Sequence, residues 1–126
     1  VDAPIRVLVA DDDPLARMLM VGRLGSEPGL EVVAEADDGA AVVARAAAAR
    51  PDVVLLDFAM PDLDQHRVIG ALSGAADGPA VILLTQFESD AVVDAALRAG
   101  ARAQLVKTAR QDELVRLIAT VAAERR

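Results

Sequence analysis

The sequence predicts a doubly wound α/β domain, five parallel strands flanked by five helices, and three observations predict it. Five short runs rich in Val, Ile and Leu recur at regular spacing: Ile5 to Ala10, Leu30 to Ala36, Asp52 to Phe58, Ala80 to Thr85 and Ala103 to Val106. Two of them, Val53-Val54-Leu55-Leu56 and Val81-Ile82-Leu83-Leu84, are continuously apolar, as suits strands of a parallel sheet covered on both faces. Helix-like stretches separate the runs, and right-handed crossovers between parallel strands then build a three-layer sandwich.

Each helix has its own signal. Asp13-Pro14 opens the first, a capping acceptor immediately before a proline at the first helical position. The alanine-rich stretch Ala40 to Ala49 is a good helix former and supplies the second. His66, the only histidine, is expected to be exposed at the start of the third, and Gly100 to close the fourth. In the last, beginning at Gln111 or Asp112, Leu114, Leu117, Ile118, Val121 and Ala122 form an apolar stripe with Arg116, Glu124 and Arg125 off it.

Composition narrows the function. The chain has 126 residues, enough for one domain and one core, with 54% apolar and 26% charged residues. Lacking cysteine and holding one histidine, it excludes disulfides, thiolate metal sites, cysteine nucleophiles and multi-histidine zinc sites. Its net charge of −7 argues against gripping phosphate backbones. No apolar run approaches the roughly 20 residues that span a bilayer, and no signal peptide is visible around Asp2 and Arg6, so a cytoplasmic location is expected.

In open α/β sheets, ligands bind beyond the carboxyl ends of the strands where strand order reverses. Asp11, Asp12 and Asp13 follow the first strand and Asp57 ends the third; with order 2-1-3-4-5 these strands are neighbours and the carboxylates converge. Two carboxylates about 4 Å apart repel by roughly 4 kcal/mol at an effective dielectric near 20, so the cluster calls for a cation or raised pKa values. All-oxygen ligands favour Mg²⁺, Mn²⁺ or Ca²⁺ over zinc. Asp13 has a helix to cap; Asp11 and Asp12 have no such local duty. Lys107 is the only lysine among 13 basic residues and follows the fifth strand at the same edge, where Thr85 ends the fourth. Carboxylates, a metal, a hydroxyl and an ammonium at one rim suit phosphoryl transfer to a carboxylate.

On these residues the chain resembles, over essentially its whole length, the receiver domain of bacterial two-component response regulators. The match is carried by Asp11-Asp12, by Asp57 followed by Met60-Pro61, by Thr85 after Val-Ile-Leu-Leu, and by Lys107 after Gly100-Ala101. Thr85-Gln86-Phe87-Glu88 and the run Ala96 to Ala101 look most like receivers that precede a LuxR-type helix-turn-helix. The resemblance implies a flavodoxin-like sandwich with Asp57 as phospho-acceptor. It implies Mg²⁺, with Mn²⁺ as a substitute, on Asp12, Asp57 and the main-chain carbonyl of Ala59, with Asp11 helping through water. Thr85 and Lys107 would contact the phosphoryl group. A sensor histidine kinase would be the donor, activation would favour a homodimer, and a DNA-binding output domain outside these residues would act on transcription. Beyond weak self-catalysis, no enzyme activity is expected.

Two positions depart from the family. Gln104 stands where a Tyr or Phe is usual three residues before the lysine, and Gln65 where a glycine usually follows Met-Pro by four. Thr108 also replaces the proline common after the lysine, and Phe58 and Phe87 are the only aromatic residues. The departures support an alternative, a receiver-like module working by phosphorylation-independent dimerisation or ligand binding. An Asp-x-Asp phosphatase using Asp11 and Asp13 is a third reading, opposed by Pro14 and by a chain too short for a covering domain.

Overall fold

The computed structural model describes residues 3–60, 64–75, 77–86 and 91–125. Five strands, β1 (Ile5–Ala10), β2 (Leu30–Ala36), β3 (Val53–Asp57), β4 (Ala80–Thr85) and β5 (Ala103–Val106), alternate with five helices. The helices are α1 (Pro14–Gly25), α2 (Gly39–Ala49), α3 (Gln65–Ser73), α4 (Ala91–Arg98) and α5 (Gln111–Glu124). The strands form one parallel sheet in the order β2-β1-β3-β4-β5. The expected third strand, Asp52 to Phe58, is one residue shorter at each end. The difference is slight, because the Asp52 N–H still donates to Arg6 and the Phe58 N–H to Leu84.

The continuously apolar strands are explained by two half-cores. Leu8, Val54, Leu56, Val81 and Leu83 face α2, α3 and α4, where Val42, Ile69, Leu72 and Ala96 meet them. Val7, Val9, Leu55, Ile82 and Leu84 face the other way, onto Leu24 of α1 and Leu114 and Ile118 of α5. Alternate side chains thus enter opposite layers, and every strand residue of β3 and β4 is buried. Each such Leu, Ile or Val contributes about 1.5–3 kcal/mol of burial.

Helix boundaries follow local chemistry. Asp13 caps α1, its carboxylate accepting the Leu15 N–H at 2.9 Å ahead of Pro14. Asp38 and Asp64 cap α2 and α3 in the same way. Gly100 lies just past α4 with φ of 131°, a conformation that L side chains rarely adopt, and a Cβ there would meet the Ser73 hydroxyl at 2.3 Å. His66 is exposed at the start of α3. Among the described residues no helix is long and apolar enough to cross a membrane. Asp2, Pro61, Phe87 and Glu88, named above, lie outside the described residues.

Candidate functional site at the carboxyl edge of the sheet

Strand order reverses between β1 and β3, and the acidic residues gather at that crevice. Asp11 directly follows β1, where its N–H donates to Ala36 at the end of β2; Asp57 is the last residue of β3. Asp11, Asp12 and Asp57 each offer a carboxylate oxygen within 4.8 Å of the others. Asp11 and Asp57 are only 3% exposed, whereas Asp12 faces solvent. Asp13 caps α1 as expected, whereas Asp11, for which no local duty was expected, has one in accepting the Asp13 N–H.

Lys107 reaches into this cluster from the end of β5. Its Nζ lies 3.0 Å from Asp11 Oδ2 and 3.3 Å from Asp57 Oδ2. The loop is set by the Lys107 N–H donating to the Thr85 carbonyl at 2.7 Å. The remaining oxygens are also used: Asp11 Oδ1 accepts the Asp13 N–H and Asp57 Oδ1 the Ala59 N–H. Burial pushes the Asp57 carboxyl above its ordinary 3.8; the Ala59 N–H opposes this, the Asp11 charge adds to it, and Lys107 offsets part. For Lys107 burial acts downward, yet the hydrogen bond to Asp11 and the charges of Asp57 and Asp11 outweigh it and hold the ammonium above 10.5. The site therefore has one firmly protonated cation and a carboxylate that ionises less readily than usual.

The rim is completed by residues that composition and motif did not single out. Arg17 on α1 donates from Nη1 to the Asp11 carbonyl at 2.7 Å and pairs with Glu35. Arg23 grips the loop after Lys107, donating to the Ala109 carbonyl and to Gln111, whose amide returns a bond to the Arg23 carbonyl. No spacing rule announces these contacts, which join α1 to loops far along the chain. The two departures also have partners. Gln65 Nε2 donates to the Phe58 carbonyl at 2.7 Å and bridges the β3–α3 connection. Gln104 Nε2 donates to Thr85 Oγ1 at 3.0 Å, so the ring expected there is absent while a link to the threonine is present.

Comparison with known proteins agrees with this geometry, since the response regulator receiver domain family matches residues 7–119. The chain belongs to that family. A protein-glutamate methylesterase/protein-glutamine glutaminase of Anaeromyxobacter dehalogenans is 45% identical over 100 residues, 79% of this chain and 29% of the relative. The transcriptional regulatory protein NarL of Mycobacterium tuberculosis is 38% identical over 114 residues, 90% of this chain and 53% of the relative. This receiver therefore spans about half the NarL relative and less than a third of the methylesterase. Among solved structures, the signal receiver domain of Mycobacterium tuberculosis NarL superposes with a TM-score of 0.89 at 36% identity, covering 97% of this chain and 98% of that one. The response regulator domain of Thermotoga maritima CheB gives 0.85 at 30%, covering 95% and 97%. The five-stranded flavodoxin-like receiver fold is thus common to chains whose names point to different outputs.

Proposed function

We propose that this receiver is a phosphorylation-controlled switch whose phospho-acceptor is Asp57. The observation that carries the reading is the meeting of Asp11, Asp12 and Asp57 with Lys107 at the β1/β3 crevice. In the transfer step a carboxylate oxygen of Asp57 attacks the donor phosphorus, the bond from phosphorus to the donor breaks, and the bonding pair leaves with the donor. From acetyl phosphate the leaving group is acetate. Lys107 offers its ammonium to the oxygens of the transferred group and Thr85 its hydroxyl, while the Ala59 N–H holds the other oxygen of Asp57 in place.

The donor set fits a hard divalent cation, because it is all oxygen and one member, Asp12, is open to solvent. Asp12, Asp57 and the Ala59 carbonyl would hold Mg²⁺ or Mn²⁺, with Asp11 acting through water. Such a cation neutralises charge on the phosphoryl oxygens when bound.

The donor in the cell would be a sensor histidine kinase. Leu15, Met18 and Leu19 remain 58–61% exposed on α1 beside the crevice, an apolar face that suits a helical donor. NarL, and LiaR of Bacillus subtilis at 36% identity, are named as transcriptional regulatory proteins, which favours a transcriptional output; the receiver would act in the cytoplasm, through a DNA-binding domain and as a homodimer formed on activation.

The deciding test is intact mass after incubation with acetyl phosphate and Mg²⁺. One phosphoryl mass is expected in the wild type, and none in Asp57→Asn or with the metal chelated. No gain in a folded wild type would overturn the reading and leave the phosphorylation-independent module.

A further inference from the structure

The amino edge of the sheet carries a cavity that phosphoryl transfer leaves unused. It holds about 320 Å³ and lies between α2 and the connection from α3 to β4. Val43, Ala46 and Ala47 of α2 line it together with Ala71 and Leu72 of α3, and Pro51 and Pro79 bound it where β3 and β4 begin. Alanine at three of these positions stops the side chain at one methyl, which leaves the room. A volume near the lower end of the roughly 300–1,000 Å³ common for ligand sites suits a small molecule. Hydrogen bonds fix the surround by engaging its main chain. The Arg50 carbonyl accepts from Arg6 Nη1 at 3.1 Å, and the Asp77 and Gly78 carbonyls accept from Arg125. The Gly78 N–H donates to the Ala75 carbonyl, and glycine is required there because a Cβ would meet the Leu72 carbonyl oxygen at 2.0 Å. A wall held in this way is formed before any ligand arrives, so binding carries little ordering cost.

Two side chains in this wall keep unmatched charge. Arg50 ends α2 in the left-handed conformation, with φ of 52° and ψ of 59°, where glycine or asparagine is usual. Among the described residues its guanidinium has no hydrogen bond or ion pair, and neither has the Asp77 carboxylate. Both residues line the same cavity without pairing with each other. The neighbouring Asp52 is already matched, since it accepts the Arg6 N–H and pairs with Arg125 Nη1. An apolar anion would find Arg50 but meet Asp77 as a like charge, and an apolar amine would have the reverse difficulty. A ligand carrying both charges on one apolar body satisfies both residues. We propose that this cavity binds a small apolar amino acid, its carboxylate at Arg50, its ammonium at Asp77 and its side chain between α2 and α3. The site is independent of the phospho-acceptor reading, because Asp57 lies at the opposite end of β3.

Three compounds test it: L-leucine, 4-methylpentanoate and 3-methylbutylamine. They share one branched apolar body and carry both charges, the carboxylate alone and the ammonium alone. Each is titrated into the 126-residue chain while the amide NMR shifts of α2, α3 and Gly78 are followed. Leucine is expected to saturate with a Kd of about 1 mM or tighter, and each analogue to bind about tenfold more weakly. Arg50→Gly removes the guanidinium and suits the left-handed backbone, so the fold should persist. It should weaken leucine about tenfold and leave 3-methylbutylamine within about twofold of wild type. Asp77→Asn should weaken leucine to a similar degree without weakening 4-methylpentanoate. Ala47→Leu fills the cavity from an exposed helix position and should abolish binding of all three. Absence of leucine-induced shifts in wild type, leucine binding no tighter than that of its analogues, or full leucine affinity in Arg50→Gly, Asp77→Asn or Ala47→Leu would each overturn the proposal.

Discussion

The two edges of the sheet handle charge in opposite ways. At the amino edge, Arg125 has a partner for each guanidinium nitrogen: Nε donates to the Gly78 carbonyl, Nη2 to the Asp77 carbonyl and Nη1 to Asp52 Oδ1 at 3.0 Å. Asp52 is closed in turn, its other oxygen accepting the Arg6 N–H. At the carboxyl edge three carboxylates face one ammonium, and one of the three looks outward. A closed set of charges holds elements together and offers a ligand nothing. A set with surplus negative charge is costly to the fold and gains free energy from any cation or bond rearrangement that relieves it. Phosphoryl chemistry in this receiver is therefore expected to sit at the edge where charge balance is incomplete.

Removing the ammonium that pairs with Asp11 and Asp57 at the open edge should have the largest effect. Lys107→Met leaves Asp11 and Asp57 buried without their counter-charge, and a loss of about 3 kcal/mol is expected in urea unfolding near neutral pH. The sign of its pH dependence is fixed by two shifts. Lys107 is held above 10.5, so its contribution is complete below that value and is lost as pH rises through the folded-state pKa. Asp57 is raised above 3.8, so its ionisation costs stability as pH rises from there, and without Lys107 the carboxyl moves higher still. The variant's deficit should be greatest at about pH 8 and shrink as the solution is taken toward about pH 5. A deficit that does not vary with pH would show that Lys107 acts by packing alone.

Cutting the closed edge comes next. Arg125→Ala removes three hydrogen bonds, one of them a partly exposed ion pair, for an expected loss of about 2 kcal/mol. Phosphoryl uptake should be unchanged, because Arg125 lies at the far end of the strands from Asp57. A large fall in uptake in a folded variant would break the comparison, since the amino edge would then be communicating with the site.

How far such an argument can be made from sequence depends on the range of the interaction. Strands β1, β2, β4 and β5 were legible to the residue, because apolar runs between polar turns leave little choice of register. The α1 cap was legible because Asp13 and Pro14 are adjacent. Asp11, Asp12, Asp57 and Lys107 could be brought together on paper, since parallel strands deliver all their carboxyl ends to one edge. The clasp of Arg125 on Asp52 could not, as it joins residues 73 positions apart that no local pattern relates. The same holds for Arg23 and Gln111, separated by 88 positions. Gln104 is the instructive case: its identity marked it as a departure, but only the strand pairing shows that an amide at that position reaches the threonine.

The smallest expected effect sharpens the comparison within the open edge itself. Asp12 and Asp13 are adjacent, both exposed and both acidic, yet they are assigned different work. Asp13 accepts the Leu15 N–H as the cap of α1, so Asp13→Ala should cost about 1 kcal/mol in urea unfolding. Its N–H bond to Asp11 belongs to the main chain and survives the substitution, so uptake from acetyl phosphate should stay within about twofold of wild type. Asp12→Ala should do the reverse, with stability changed by about 0.5 kcal/mol or less and the Mg²⁺ requirement for uptake raised at least several-fold. The pair also separates the receiver reading from a phosphatase that uses Asp11 and Asp13. If Asp13→Ala abolished uptake while Asp12→Ala left it intact, Asp13 would have a chemical role and the division between capping and cation binding would fail.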